Sequence, residues 1–229
     1  DLEATVNRVS GNYDESLQIC IEDAGKNNWY VISDTSYEGY TKYPRYIMAG
    51  YNVMAEEIID QIKDRPLPTH IFLQGGVGSF PGAICGYFWE RFPGNNIKFV
   101  VVESEHAPCL IRSAQNNQMT SVNIKQETMM AGLSCGEPSL LGWKILKSGT
   151  DDFITINDSS IPGLMRLLAK NNLKIEAGES SVAGLAGLIE SMEDQKIAEA
   201  MELNKESIVL LFGTEGATDP DIYRSIISE

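Results

Sequence analysis

His70-Ile71-Phe72-Leu73-Gln74-Gly75-Gly76-Val77-Gly78-Ser79-Phe80-Pro81-Gly82 is a short apolar run that passes through clustered glycines, and Ala83-Ile84-Cys85-Gly86-Tyr87-Phe88-Trp89-Glu90 follows directly. The apolar run reads as a buried strand and the second stretch as a helix, so glycines join a strand to a helix N-terminus. Glycine lets successive amide N–H groups converge on one point and lets a ligand approach the backbone. The unpaired amides and dipole of the following helix favour negative charge there. Phosphate is the natural guest. The plainer alternative is a tight turn that packs a helix on a sheet, but four glycines within residues 75–82 weigh toward an anion site. No Gly-Lys-Ser/Thr follows, which argues against a nucleoside-triphosphate loop. A dinucleotide fold stays open, because Lys98-Phe99-Val100-Val101-Val102-Glu103 reads as the next strand and ends in an acid able to meet a ribose. The Gly-x-Gly-x-x-Gly spacing of that fold is not met.

Outward from the cradle the pattern alternates. Residues 16–24 read as a helix, 29–33 as a strand, and 44–65 as a long amphipathic helix with Pro44 in its first turn. After the strands at 70–74 and 99–103 comes a loop-rich stretch through Cys135. Helices are expected at 140–146, 159–169, 180–192 and 195–203, a buried strand at 208–212 and a closing helix at 219–227. This is an α/β pattern without internal repeats: a parallel twisted sheet with helices on both faces. Ligands of such sheets collect outside the carboxyl ends of the strands, where Asp34-Thr35, residues 75–79, Glu103-Ser104 and residues 213–216 fall. Turn and helix-capping roles are the ordinary alternative for Asp34 and for residues 213–216.

The 229 residues are 43% hydrophobic and 22% charged, ordinary for a globular chain able to bury a sizeable core. A formal charge of -14 argues against a nucleic-acid partner, and no apolar run is long enough to span a membrane. A cytoplasmic setting is expected, mainly from the chemistry. Cys20, Cys85, Cys109 and Cys135 show no C-x-x-C spacing and the chain holds only His70 and His106, so no metal site is expected. Cys20 and Cys85 read as helix core residues. Cys109 and Cys135 read as loop residues able to meet as a redox-sensitive pair, with reduced thiols the default in the cytosol. His70 is expected to lead into a strand and His106 to face solvent; neither is assigned a catalytic role.

Five motifs in order carry a resemblance. They are Asp34-Thr35-Ser36-Tyr37-Glu38-Gly39-Tyr40-Thr41-Lys42-Tyr43-Pro44-Arg45-Tyr46-Ile47-Met48-Ala49-Gly50-Tyr51, the cradle, Met130-Ala131-Gly132-Leu133-Ser134-Cys135-Gly136-Glu137-Pro138, Gly178-Glu179-Ser180, and Thr214-Glu215-Gly216-Ala217-Thr218-Asp219. Together they resemble the diaminopropionate ammonia-lyase family over nearly the whole chain. That family belongs to the fold-type-II pyridoxal-phosphate enzymes, whose relatives include the tryptophan synthase β-subunit. The resemblance implies a homodimeric lyase that carries out α,β-elimination on a small amino acid, turning 2,3-diaminopropionate into pyruvate and ammonia. It implies that the backbone of Gly75, Gly76, Val77, Gly78 and Ser79 holds the phosphate of pyridoxal 5′-phosphate. Thr214 falls where the superfamily places a neutral group against the pyridine nitrogen, with Glu215 a competitor for that role or a helix cap. Asp34 matches an active-site acid near the substrate's amino groups.

The lysine that carries the cofactor in this superfamily lies in an N-terminal part, within an aromatic-Lys pattern that no lysine here reproduces. The resemblance therefore implies that residues 1–33 are the end of a small domain and 34–229 the C-terminal portion of the large pyridoxal-phosphate-binding domain. The N-terminal part that bears the lysine would be missing, and the chain alone would be inactive and would expose sheet edges and apolar surface. Two other readings stand beside this one: a dinucleotide-binding oxidoreductase domain that uses Glu103, and a non-catalytic phosphate-binding interaction fragment.

Overall fold

Alternating side chains along the two central strands bury both faces of one sheet and so decide the architecture. The computed structural model describes residues 3–170, 172 and 174–228. The chain runs α1 (Tyr13–Asn27), α2 (Lys42–Ile62), β1 (His70–Gln74), α3 (Ser79–Arg91), β2 (Lys98–Ser104), α4 (Cys109–Asn116) and α5 (Leu140–Gly149). It continues through β3 (Asp152–Ile156), α6 (Ile161–Lys170), α7 (Ala183–Glu193), α8 (Gln195–Ala200), β4 (Val209–Leu211) and α9 (Pro220–Ser228). Short 3-10 turns lie at Ala131–Leu133, Asp158–Ser160 and Ser180–Val182.

The strands are parallel in the order β3-β2-β1-β4. Their carboxyl ends therefore share one edge, with Gln74 of β1 beside Val102 of β2. Ile71, Leu73, Phe99 and Val101 pack with Ala55, Ile59, Ile84, Phe88 and Leu146 of α2, α3 and α5. Phe72, Val100 and Val102 pack with Met165, Ala183 and Ala186 of α6 and α7. Each such large apolar side chain contributes about 1.5–3 kcal/mol by leaving water. Covered on both faces, β1 and β2 read as continuous apolar runs, as parallel strands do.

The expected α/β sheet with helices on both faces is what forms, with particular departures. Residues 29–33 form no strand; Trp29, Tyr30 and Ile32 are 64%, 81% and 67% exposed. No described strand lies beside them to complete a ladder, and an apolar run without a partner stays irregular. β3 and α4 are additional to the expected elements. β4 is half-buried rather than buried, because it is an edge strand with β1 on one side only. Cys20 lies on the exposed side of α1, and Cys109 opens a helix instead of occupying a loop. All four thiols are free, so Cys109 and Cys135 are not paired. α3 begins at Ser79, earlier than the apolar pattern indicates, since Pro81 is tolerated in a first turn.

Candidate functional site

Gly75 donates its amide to Val102 O at 2.8 Å, the last rung of the β1–β2 ladder. Beyond it the backbone turns sharply. Gly78, the N-cap of α3, has φ 96° and ψ 0°, a left-handed conformation that a Cβ would strain. Among the described residues the amides of Gly76, Gly78, Ser79 and Phe80 donate to no backbone acceptor, so they stand free at the positive end of α3. The cradle is held from outside by α5: Ser139 N donates to Val77 O at 2.7 Å, and a Cβ on Gly142 would sit 2.5 Å from Gly78 O. Only glycine at 142 allows that approach.

The cradle forms one wall of a cavity of about 500 Å³ at the carboxyl ends of the strands. Asp34, Gly76, Val77, Gly78, Ser79 and Thr214 all line it, whereas Gly75 is committed to the sheet behind. Sequence reasoning assigned no part in the site to four further lining residues, Tyr13, Tyr51, Gln74 and Cys135, the last of which it read as half of a redox-sensitive pair. Gln74 carried a legible signal, a polar residue that ends an apolar strand just before glycine. Tyr51 closed the first of the motifs that carry the resemblance, whereas Tyr13 carried no signal, because placement of α1 alone brings it to the cavity.

Asp34 is anchored to the cradle through its backbone. Ser79 Oγ donates to Asp34 O at 2.6 Å, and the hydroxyls of Ser36 and Ser139 share a hydrogen bond of 2.7 Å just behind. Burial raises the Asp34 carboxyl above its ordinary range, against the lowering effect of its own and Thr35's amides. Burial likewise raises the Tyr13 and Tyr51 phenols, and the negative charge of Asp34 adds to both shifts. Tyr13 is placed by a 2.9 Å hydrogen bond between its hydroxyl and Thr35 Oγ1.

On another side of the cavity, Gln74 Nε2 donates to Thr214 Oγ1 at 3.0 Å and to Phe212 O at 3.1 Å. Glu215 does not compete with Thr214: its carboxylate accepts the Ser180 amide at 2.7 Å and so caps the turn before α7. Glu103 is not available to a ribose. It is fully buried, and its two oxygens accept the amides of Leu110 at 2.8 Å and Ile111 at 2.7 Å in the first turn of α4. Burial pushes its carboxyl up to about 8. The acid that sustained the dinucleotide alternative is a helix cap.

His70 Nε2 meets Met201 O at 2.9 Å at the amino end of β1, and His106 Nε2 meets Gln126 at 3.3 Å; neither lines the cavity. Burial pushes the Cys135 thiol up to about 12, so it is neutral. Among the described residues no lysine lines the cavity, no His/Cys/Asp/Glu group is arranged to hold a metal, and no helix is long and apolar enough to cross a membrane.

The family model for pyridoxal-phosphate dependent enzymes matches residues 1–213. The diaminopropionate ammonia-lyase of Escherichia coli strain K12 is 37% identical over 226 residues, which take in 95% of this chain and 56% of that protein. Its counterpart in Salmonella typhimurium strain LT2 is 37% identical over 227 residues, 94% of this chain and 56% of that protein. The crystal structure of the Escherichia coli enzyme in complex with an aminoacrylate-PLP azomethine reaction intermediate matches with a TM-score of 0.88 at 36% identity, covering 96% of this chain and 57% of that one. The chain thus spans little more than half the length of the relatives it matches.

Proposed function

The chain belongs to the pyridoxal-phosphate dependent enzyme family, and from that premise we propose that it is part of an ammonia-lyase acting on 2,3-diaminopropionate. The reaction takes substrate and one water to pyruvate and two ammonia molecules. The observation that carries this reading is the pairing, in one cavity, of free amides at the N-terminus of α3 with a neutral hydroxyl, that of Thr214.

These residues fit pyridoxal 5′-phosphate. The uncommitted amides of Gly76, Gly78 and Ser79 suit its phosphate, the Val77 backbone frames the turn between them, and Gly75 lets the turn follow directly on β1. Thr214 suits its ring nitrogen. When bound, the cofactor supplies the electron sink that lets an amino acid's α-proton be removed. Asp34, partly desolvated and raised above the usual carboxylate range, is suited to hold the substrate's departing β-ammonium or to take a proton from the α-carbon. The lysine required by such enzymes is proposed to lie in the length that the relatives carry beyond the matched span. Residues 1–33 are proposed to end a small domain and 34–229 to form the later part of the large one. A homodimer in the cytoplasm completes the proposal.

Two measurements test it. Titration of the complete enzyme with pyridoxal 5′-phosphate, followed by ³¹P NMR, should give a saturable bound signal; its absence sinks the cofactor assignment. In the complete enzyme, Asp34→Asn should lower pyruvate formation from 2,3-diaminopropionate about 100-fold while cofactor binding is kept. Unchanged turnover would remove Asp34 from the chemistry.

A further inference from the structure

A threonine hydroxyl has one proton and can meet a ring nitrogen either as donor or as acceptor. Which one it is decides whether that nitrogen is left bare or protonated. The surroundings of Thr214 fix the answer. Gln74 is 4% exposed, and its amide nitrogen lies 3.1 Å from Phe212 O and 3.0 Å from Thr214 Oγ1. A backbone carbonyl only accepts, so the NH₂ end of the amide, not its oxygen, must face Phe212. The flip is therefore settled by chemistry. Both amide protons are then committed, one to Phe212 O and one to Thr214 Oγ1, while Gln74 Oε1 is buried with no partner among the described residues. Thr214 Oγ1 must accept from Gln74, and its own proton is left for the cavity.

The geometry points to Gln74 as a positioning residue that makes Thr214 an obligate hydrogen-bond donor toward the cofactor's ring nitrogen and so keeps that nitrogen unprotonated. This rests on the pyridoxal-phosphate reading given above and deepens it. An unprotonated ring nitrogen is a weaker electron sink than a protonated one, which suits rapid loss of a β-leaving group over a long-lived carbanion.

Gln74→Glu is the discriminating variant because it keeps the shape and reverses the polarity. An ionised carboxylate accepts from Thr214. A neutral carboxyl has a single proton, which Phe212 O takes, and its other lone pairs again draw the Thr214 proton back. In either form Thr214 turns a lone pair to the ring. The complete enzyme, loaded with pyridoxal 5′-phosphate carrying ¹⁵N in the ring, should show an unprotonated nitrogen resonance that does not move with pH. In Gln74→Glu that resonance should move upfield to the protonated position. Should Gln74→Glu fail to fold, Gln74→Met serves: with no donor holding Thr214, the nitrogen should become titratable. A role in stability alone would lower melting temperature and affinity without moving the resonance. A protonated nitrogen in the unsubstituted protein, or one that stays bare and pH-invariant in the variants, overturns the inference. Failure of the unsubstituted protein to bind cofactor at all would overturn it together with the proposed function, and that result is distinct from the others.

Discussion

Glu103 carries the first turn of α4 on its side chain. The N-cap of that helix is Pro108, which has no side-chain oxygen to offer, so the first amides need an acceptor from elsewhere. The end of β2 supplies it, one carboxyl oxygen to each of Leu110 and Ile111. Glu103→Ala should destabilise the fold by about 1–3 kcal/mol for each amide left unsatisfied in the interior, read as a lower urea midpoint. A midpoint unchanged within error would show that water replaces the carboxylate. At this scale the sequence was legible where backbone chemistry decides, as at residues 76–79, and ambiguous where a side chain had two equally good uses. An acid at a strand end serves a ribose or a helix with the same residue type, and the missing cap at Pro108 becomes visible only once α4 is known to exist. Glu215 shows the same ambiguity, resolved the same way by a cap at Ser180.

Residues 127–136 bring Ala131, Gly132, Leu133 and Cys135 to the cavity wall, although the regular structure described in them is a single 3-10 turn. Four separate parts of the molecule hold them, one being Val122, whose amide donates to Gly136 O at 2.9 Å. Asp158 accepts Thr128 Oγ1 at 2.6 Å and Met129 N at 2.7 Å, Asp14 of α1 accepts Gly136 N at 3.0 Å, and Ser180 Oγ accepts Gly132 N at 3.2 Å. A segment without its own backbone ladder keeps its shape only through such contacts. Asp158→Ala should therefore speed hydrogen exchange at Met129 and Met130 at least tenfold and weaken cofactor binding several-fold, with a stability loss of about 1–3 kcal/mol. Unaltered exchange would assign the shape of the segment to the other anchors. The loop character of this stretch is legible in the sequence; its service as a wall is not, since its anchors lie up to 122 residues away. The strands divide likewise. β1 and β2 are continuous apolar runs because both faces are covered. Asp152-Phe153-Ile154-Thr155-Ile156 at the sheet edge gives a weaker pattern, and residues 29–33 have the pattern without a neighbour to pair with.

Across the whole molecule the resolved carboxyl shifts run one way. Burial raises Asp14, Asp34, Glu103, Asp152 and Glu190, and Glu103 moves from 4.5 to about 8. A carboxyl whose folded value exceeds its unfolded one binds more protons when folded. Its contribution is fully present below the unfolded value and is lost as pH rises through the folded one, by up to about 1.4 kcal/mol per pH unit for each group. Lys98, raised by Asp151 and Glu202 against its own desolvation, changes only in the alkaline range and does not reverse this slope. The formal charge of -14 adds self-repulsion of the same sign as the carboxyls ionise. Stability in urea should therefore fall from about pH 5 to about pH 8, the window that Glu103 defines. Glu103→Gln, less stable throughout, should show a flatter profile because it removes the steepest titrating group. Added salt should recover stability at the upper end of the window more than at the lower, since it screens charges that exist only there. A midpoint that rises with pH across the window would mean that hydrogen bonds to the ionised carboxylates outweigh their desolvation. In that event Glu103 would hold α4 as a full charge, and the pH profile would be the first property to report it.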